Sequence, residues 1–247
     1  MANPSNRVAI VTGAAGGIGA KVAERLARDG FTVVVNYAGN PVPAEALVCR
    51  IEGAGGHAVA AKADISDAAA VARMFDSAET AFGGVDVLIN NAGIMTLATF
   101  AESDDALFDR QVAVNLKGTF NTLREAAKRL RGGGRIVNFS SSVVGLLQPT
   151  YGVYAATKAA VEAMTSILAK ELRGRNITVN AIAPGYVDTD MVRAVPQNVL
   201  DKIVARVPVG RLGSCEEIAR GVLFLVSDQG GFITGSTMSI NGGQHMY

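Results

Sequence analysis

The chain has 247 residues, 49% hydrophobic and 18% charged, with a formal net charge of +1. That balance gives no electrostatic footing for nucleic acid or an acidic membrane as the main partner. Cys49 and Cys215 are too few for a disulfide framework and fit no zinc spacing, and His57 and His245 have no companion ligands, so no metal is expected.

The opening MANPSN lacks the apolar stretch of a secretory leader and passes almost at once into a strand, RVAIVT at 7–12. No apolar run approaches the ~20 residues that cross a bilayer, and a cytoplasmic location is the expectation. TGAAGGIG at 12–19 then opens a helix expected at 18–29. Gly13 permits a tight turn, Gly17 lets the backbone approach a pyrophosphate, and Gly19 lets the helix pack close on the sheet, with Ile18 between them. The free N–H groups of that helix would meet the phosphates. The second strand, FTVVVNY at 31–37, ends in Asn36, Tyr37 and Ala38. An NAD site normally carries an acid there, which binds the ribose 2′-hydroxyl and repels a 2′-phosphate. Its absence predicts NADP(H). No Arg or Lys stands at 36–40 to grip the phosphate, so NAD(H) stays open as the alternative.

The alternation continues with a helix at 40–54, AVAAKAD at 58–64, a helix at 67–82 and VDVLINN at 85–91. A long helix at 104–131, GRIVNFS at 134–140 and a helix at 152–173 follow. NITVNAIAP at 176–184, a helix at 214–227 and STMSING at 236–242 complete the chain. The strands are mostly continuous apolar runs, as parallel strands covered on both faces require. The pattern predicts an α/β Rossmann-type doubly wound parallel sheet of seven strands with helices on both faces. No linker or low-complexity tract interrupts it, and residues 1–247 are read as a single domain.

YAATK at 154–158 places Tyr154 and Lys158 four residues apart among good helix formers, hence on one helix face. A free phenol has a pKa near ~10 and exchanges protons poorly at neutral pH. A nearby ammonium, together with the positive nicotinamide ring of a bound cofactor, would lower that value toward the range useful for general acid–base catalysis. Alone, the pair would pass for surface decoration. Downstream of a serine-rich strand end in a dinucleotide fold, it predicts an active site.

Taken in order, TGAAGGIG, DI at 64–65, NNAG at 90–93, VNLKG at 114–118, SSS at 140–142, YAATK and PGYVDTDM at 184–191 resemble the short-chain dehydrogenase/reductase family over nearly the whole chain. VPVGRLG at 207–213 and the closing INGGQHMY are most similar to 3-oxoacyl-carrier-protein and acetoacetyl-CoA reductases. The resemblance implies that Asp64 and Ile65 hold the adenine and that Asn91, Ala92 and Gly93 form a strand end against which the cofactor lies. It implies that Val187 and Thr189, after Pro184 and Gly185, meet the nicotinamide carboxamide, and that Asn115 anchors a water linking Lys158 to solvent. Lys158 would also reach the ribose hydroxyls. One serine would hydrogen-bond the substrate oxygen. Counting from Gly134, or back from Tyr154 by the usual family interval, gives Ser141, and counting back from Gly145 gives Ser142; both are kept.

The expected reaction is NADPH-dependent reduction of a ketone, of 3-oxoacyl thioester type, with Tyr154 protonating the oxygen and alcohol oxidation as the reverse. Alternatives are a reductase of free ketones, diketones or sugars, possibly NAD-linked, and a non-catalytic nucleotide-binding module; the full Ser, Tyr, Lys and Asn set argues against the module. Residues 189–208 are expected to form a mobile lid over the substrate. Apolar content on the helices at 104–131 and 152–173 exceeds one stripe, which points to subunit contacts. The resemblance implies a homotetramer with two different two-fold interfaces, and residues 245–247 buried near a neighbouring subunit.

Overall fold

The strands alternate their side chains between two apolar layers, so each must be roofed on both faces. In the computed structural model, which describes residues 7–193 and 196–245, that is the arrangement. The strands are β1 (Val8–Val11), β2 (Thr32–Tyr37), β3 (His57–Lys62), β4 (Val85–Asn90), β5 (Leu130–Phe139), β6 (Thr178–Pro184) and β7 (Thr237–Ile240). They form one parallel sheet in the order β3-β2-β1-β4-β5-β6-β7. The order reverses between β1 and β4, and a doubly wound sheet opens a ligand crevice at such a point, outside the carboxyl ends of its strands.

One face is covered by α1 (Gly17–Arg28), α2 (Val42–Gly53) and α10 (Cys215–Val226), whose Val22, Leu26, Leu47, Ile218 and Val222 pack on Ala9, Val11, Val33 and Ile89. The other is covered by α3 (Ala68–Phe82), α5 (Thr119–Arg129) and α7 (Gly152–Glu171), whose Val71, Phe75, Leu123 and Leu168 pack on Val8, Ile10, Leu88 and Ile136. Neighbours such as Ala9 and Ile10 serve opposite layers, the period of two that a strand dictates. Each large side chain fully buried this way contributes about 1.5–3 kcal/mol.

The structure departs from the sequence expectation in four places. The single helix at 104–131 is instead α4 (Asp105–Gln111), a π-helical turn at Val112–Gly118, and α5. β5 starts at Leu130, with a register break that takes up the glycines before Arg135. β6 starts late because Asn176 adopts φ +54, a left-handed conformation outside strand geometry. The region expected as a lid carries two helices, α8 (Asp190–Arg193) and α9 (Gln197–Val204), and α6 (Val143–Leu146) was not anticipated. No helix among the described residues is long and apolar enough to cross a membrane. Of the last three residues, Met246 and Tyr247 lie outside the described residues, and His245 is half-buried and packs on Gly145 of its own chain.

Candidate active site

Two cavities adjoin along the carboxyl ends of the strands, sharing Ile18, Asn91, Gly93 and Ile94 in their walls. The first, about 520 Å³, rests on the glycine turn after β1. Gly13 has φ +60, and a Cβ there would lie 2.8 Å from the Ala92 Cα, so only glycine makes this turn against β4. No side chain caps α1, whose first N–H groups point along the helix axis and attract an anion. Gly93 keeps the passage between the cavities clear, because a Cβ there would come 3.3 Å from Asn115 Oδ1 and 3.5 Å from Lys158 Nζ. A glycine cradle, an uncapped helix end and a long cleft fit an extended dinucleotide.

Two asparagines hold that cradle. The Asn36 amide accepts from Gly13 N (3.2 Å) and donates to Ala63 O (2.9 Å), so it braces the turn and is spent. Asn91 Nδ2 donates to Thr12 O and Gly13 O, both at 3.0 Å. Asn36 and Ala38 both line the cleft at the end of β2, and neither carries a charge. Tyr37, expected beside the cofactor, packs instead on the core under α1 and α2, since strand alternation turns it away from the cleft. Gly19 does not line the cleft either. It lies beneath it, where a Cβ would meet Gly13 O at 2.6 Å. Asp64 and Ile65 do line the cleft, two and three residues beyond the last residue of β3, and Asp64 Oδ1 accepts from Ser66 N at 2.9 Å.

The polar residues of the second cavity converge from three elements. Lys158, 5% exposed, donates from Nζ to Phe139 O at 2.7 Å and stands 5.7 Å from the Tyr154 ring centre. Asn115, fully buried in the π-helical turn, clasps Ile94 at two points: Oδ1 accepts from Ile94 N and Nδ2 donates to Ile94 O, each at 2.8 Å. Nδ2 also donates to Thr157 Oγ1 at 3.3 Å, tying this turn to the Tyr154–Lys158 helix. A π turn projects one residue out of α-helical register, and it aims Asn115 at the loop after β4.

The serines divide. Ser140 Oγ donates to Glu162 Oε1 at 2.5 Å, and Ser142 is buried at the start of α6 with its N–H on Pro184 O at 3.0 Å. Ser141 lines the cavity together with the Tyr154 phenol and favours its ionised form. Burial raises the Tyr154 pKa above its ordinary value, and Ser141 only partly opposes the rise. Burial also lowers Lys158 to about 8. The expectation that the ammonium depresses the phenol is thus reversed in the protein alone, because low polarity penalises phenolate and ammonium alike.

The second cavity, about 530 Å³, also takes in Pro184, Gly185 and Val187, while Thr189 lines the first. Sequence reasoning did not single out Tyr151 or Tyr186 in its wall, while Val192, Val199 and Ile203 come from the 189–208 segment expected to lie over the substrate. A usable signal existed for the two tyrosines: Tyr151 lies three residues before Tyr154, and Tyr186 directly follows Pro184 and Gly185. In the first cavity, Arg110 and Asp190 were missed. Among the described residues no cluster of His, Cys, Asp or Glu could hold a metal ion.

Comparison with known proteins agrees with this geometry. Residues 13–245 match a family profile described as enoyl-(acyl carrier protein) reductase. A short-chain type dehydrogenase/reductase of Picea abies is 45% identical, the match covering 96% of this chain and 92% of that protein. The 3-oxoacyl-[acyl-carrier-protein] reductase FabG of Staphylococcus aureus strain Mu50 is 40% identical over 96% of this chain and 98% of its own. A short-chain dehydrogenase from Burkholderia cenocepacia, solved in complex with NADP, superposes with a TM-score of 0.92 at 35% identity, covering 98% of this chain and 99% of that one. A sheet of this order, a glycine cradle for a nicotinamide cofactor and relatives matching from end to end place the chain in the short-chain dehydrogenase/reductase family, close to FabG.

Proposed function

We propose that the protein is an NADPH-dependent ketone reductase in which Tyr154 is the general acid. The observation that carries this is the Tyr154 phenol sharing one cavity wall with Ser141, one helical turn from the buried Lys158, in a cavity that adjoins the glycine cradle. When bound, the reduced cofactor supplies a hydride. Ser141 and Tyr154 then offer two O–H donors to one substrate oxygen, and Tyr154 releases its proton to that oxygen as negative charge develops. A carbonyl oxygen has two lone pairs for this pair of donors, whereas an alkene carbon has none. This favours C=O over C=C as the group reduced. Lys158 is held by Phe139 O, 5.7 Å from the Tyr154 ring centre and beside Gly93, which both cavities share, and Asn115 fixes Ile94 in the loop after β4. The same groups serve alcohol oxidation in reverse.

The preference for NADPH rests on Ala38, which puts no carboxylate at the end of β2, and on the NADP found in the Burkholderia relative. The FabG relatives favour a 3-oxoacyl thioester as substrate. The apolar second cavity favours free neutral ketones as the second reading, with residues 189–208 as its cover. We further propose one catalytic domain per chain, a homotetrameric assembly and a reducing cytoplasmic setting, which suits the free Cys49 and Cys215. Oxidation of NADPH in the presence of acetoacetyl-CoA, β-ketoesters, diketones, cyclic ketones and sugars tests the reading. Turnover with at least one ketone is expected, and none with any would overturn it.

A further inference from the structure

Three charged side chains stand in the wall of the first cavity: Asp64, Asp190 and Arg110. Both carboxylates are engaged. Asp64 Oδ1 accepts from Ser66 N at 2.9 Å and from Ser66 Oγ at 2.8 Å, and Asp190 lies 3.9 Å from the Arg193 guanidinium. Arg110, by contrast, is exposed in the last turn of α4 and makes no hydrogen bond, ion pair or ring contact with another described residue. Two carboxylates against one guanidinium leave this wall with a net negative charge, while a dinucleotide brings the negative charges of its phosphates. The free guanidinium is the group in the wall that can oppose them.

Nicotinamide must face Tyr154 for hydride transfer, so the adenosine half of the cofactor belongs at the far end, where Ala38, Asp64 and Ile65 line the first cavity and not the second. The helical run that carries Arg110 passes that end. A Cβ on Gly118 would lie 2.6 Å from Ile65 Cγ1, and Asn121 Nδ2 donates to Ile65 O at 2.9 Å, which fixes the π-helical turn and α5 against the loop after β3. Val114 in the π-helical turn and Arg110 before it both line the cleft. The pyrophosphate has the N–H groups at the start of α1. A 2′-phosphate on the adenosine ribose has no such partner on β2, since Asn36 is spent on Gly13 and Ala63 and Ala38 has no polar side chain.

We infer that Arg110 supplies the cation for the 2′-phosphate, reaching over the adenosine end from α4 rather than from the turn after β2. This rests on the NADPH reading above and names the residue that gives the preference. A guanidinium is a planar fork that meets a phosphate through two N–H donors at once. Because the contact lies at the surface, it weakens as salt rises.

NADP⁺ and NAD⁺ differ by the 2′-phosphate alone, so calorimetric titration of each into wild type, Arg110→Gln and Arg110→Lys reads the contact without turnover. Wild type is expected to bind NADP⁺ about tenfold more tightly than NAD⁺, with the margin shrinking at high salt. Arg110→Gln should lose that margin, and Arg110→Lys, which keeps the charge without the fork, should retain part of it. NAD⁺ affinity should be the same in all three, which also shows that the cleft is intact. Equal affinity of wild type and Arg110→Gln for NADP⁺ would overturn the inference. So would equal weakening of both cofactors, because Arg110 would then serve the pyrophosphate or the adenine. Ketone reduction with NADPH, assayed alongside, separates the two claims. If no ketone is turned over, the reductase reading falls, yet a margin lost in Arg110→Gln still supports the contact. If ketones are reduced with the same KM for NADPH in wild type and Arg110→Gln, the contact falls and the reductase reading stands.

Discussion

At the scale of single residues, the site is governed by burial. Tyr154 is the proposed proton donor, so Tyr154→Phe should lower kcat by roughly 10²–10⁴-fold. Retention of wild-type kcat in steady-state assays would remove it from the mechanism. Ser141→Ala should cost more activity than Ser142→Ala, because Ser141 acts on the Tyr154 phenol while Ser142 is buried at the start of α6. Lys158 gives a prediction with a definite sign. Its pKa falls from 10.5 in the unfolded chain to about 8 in the fold, so between these values the unfolded state holds more protons and stability rises with pH. Relative to Lys158→Met, the unliganded wild type should therefore gain about 2–3 kcal/mol as pH rises from 7 to above 10. Denaturant titrations of both proteins at several pH values measure this, and a difference constant with pH would mean that Lys158 is not desolvated.

At the scale of elements, the turns that carry the cofactor are set by steric contact. Gly19→Ala would drive a Cβ to 2.6 Å from Gly13 O and to clash with the Asn91 amide, so the cradle must shift. A destabilisation of about 1–3 kcal/mol with weakened cofactor binding is expected; unchanged cofactor affinity by calorimetry would contradict this. Ala38→Asp, at the cleft-facing position after β2, should swing the kcat/KM ratio from NADPH toward NADH. Much of this was legible in the sequence. The apolar runs gave all seven strands, and the glycine pattern gave the turn between β1 and α1. The π-helical turn was not legible, because VNLKG reads as ordinary helix until its Asn115 is seen to clasp Ile94 in a loop 21 residues away. The pKa of Tyr154 escaped for a related reason: spacing locates the nearest charge but says nothing of how much water surrounds it. The choice between Ser141 and Ser142 needed the direction of each side chain, which counting along a strand end does not supply.

At the scale of the whole molecule, the helices that roof one face of the sheet keep a second apolar surface. Leu123 and Leu168 are buried against the strands, yet Phe108 is 50% exposed, Phe120 47% and Ile167 56%. Apolar side chains on the outer faces of α4, α5 and α7 suit a neighbouring subunit. Light scattering should give a mass four times that of the 25.5 kDa chain, and Ile167→Glu should shift it to smaller species. An active wild-type monomer would leave those faces unexplained. The assembled enzyme must in turn deliver hydride and proton to the two ends of one C=O bond. The most direct test is reduction of ethyl acetoacetate with NADPH carrying deuterium at both hydrogen positions of nicotinamide C4. Deuterium on the carbinol carbon of the product in wild type, with at least a hundredfold less product from Tyr154→Phe, is the expected result; unlabelled product, or equal yield from that variant, would contradict the account.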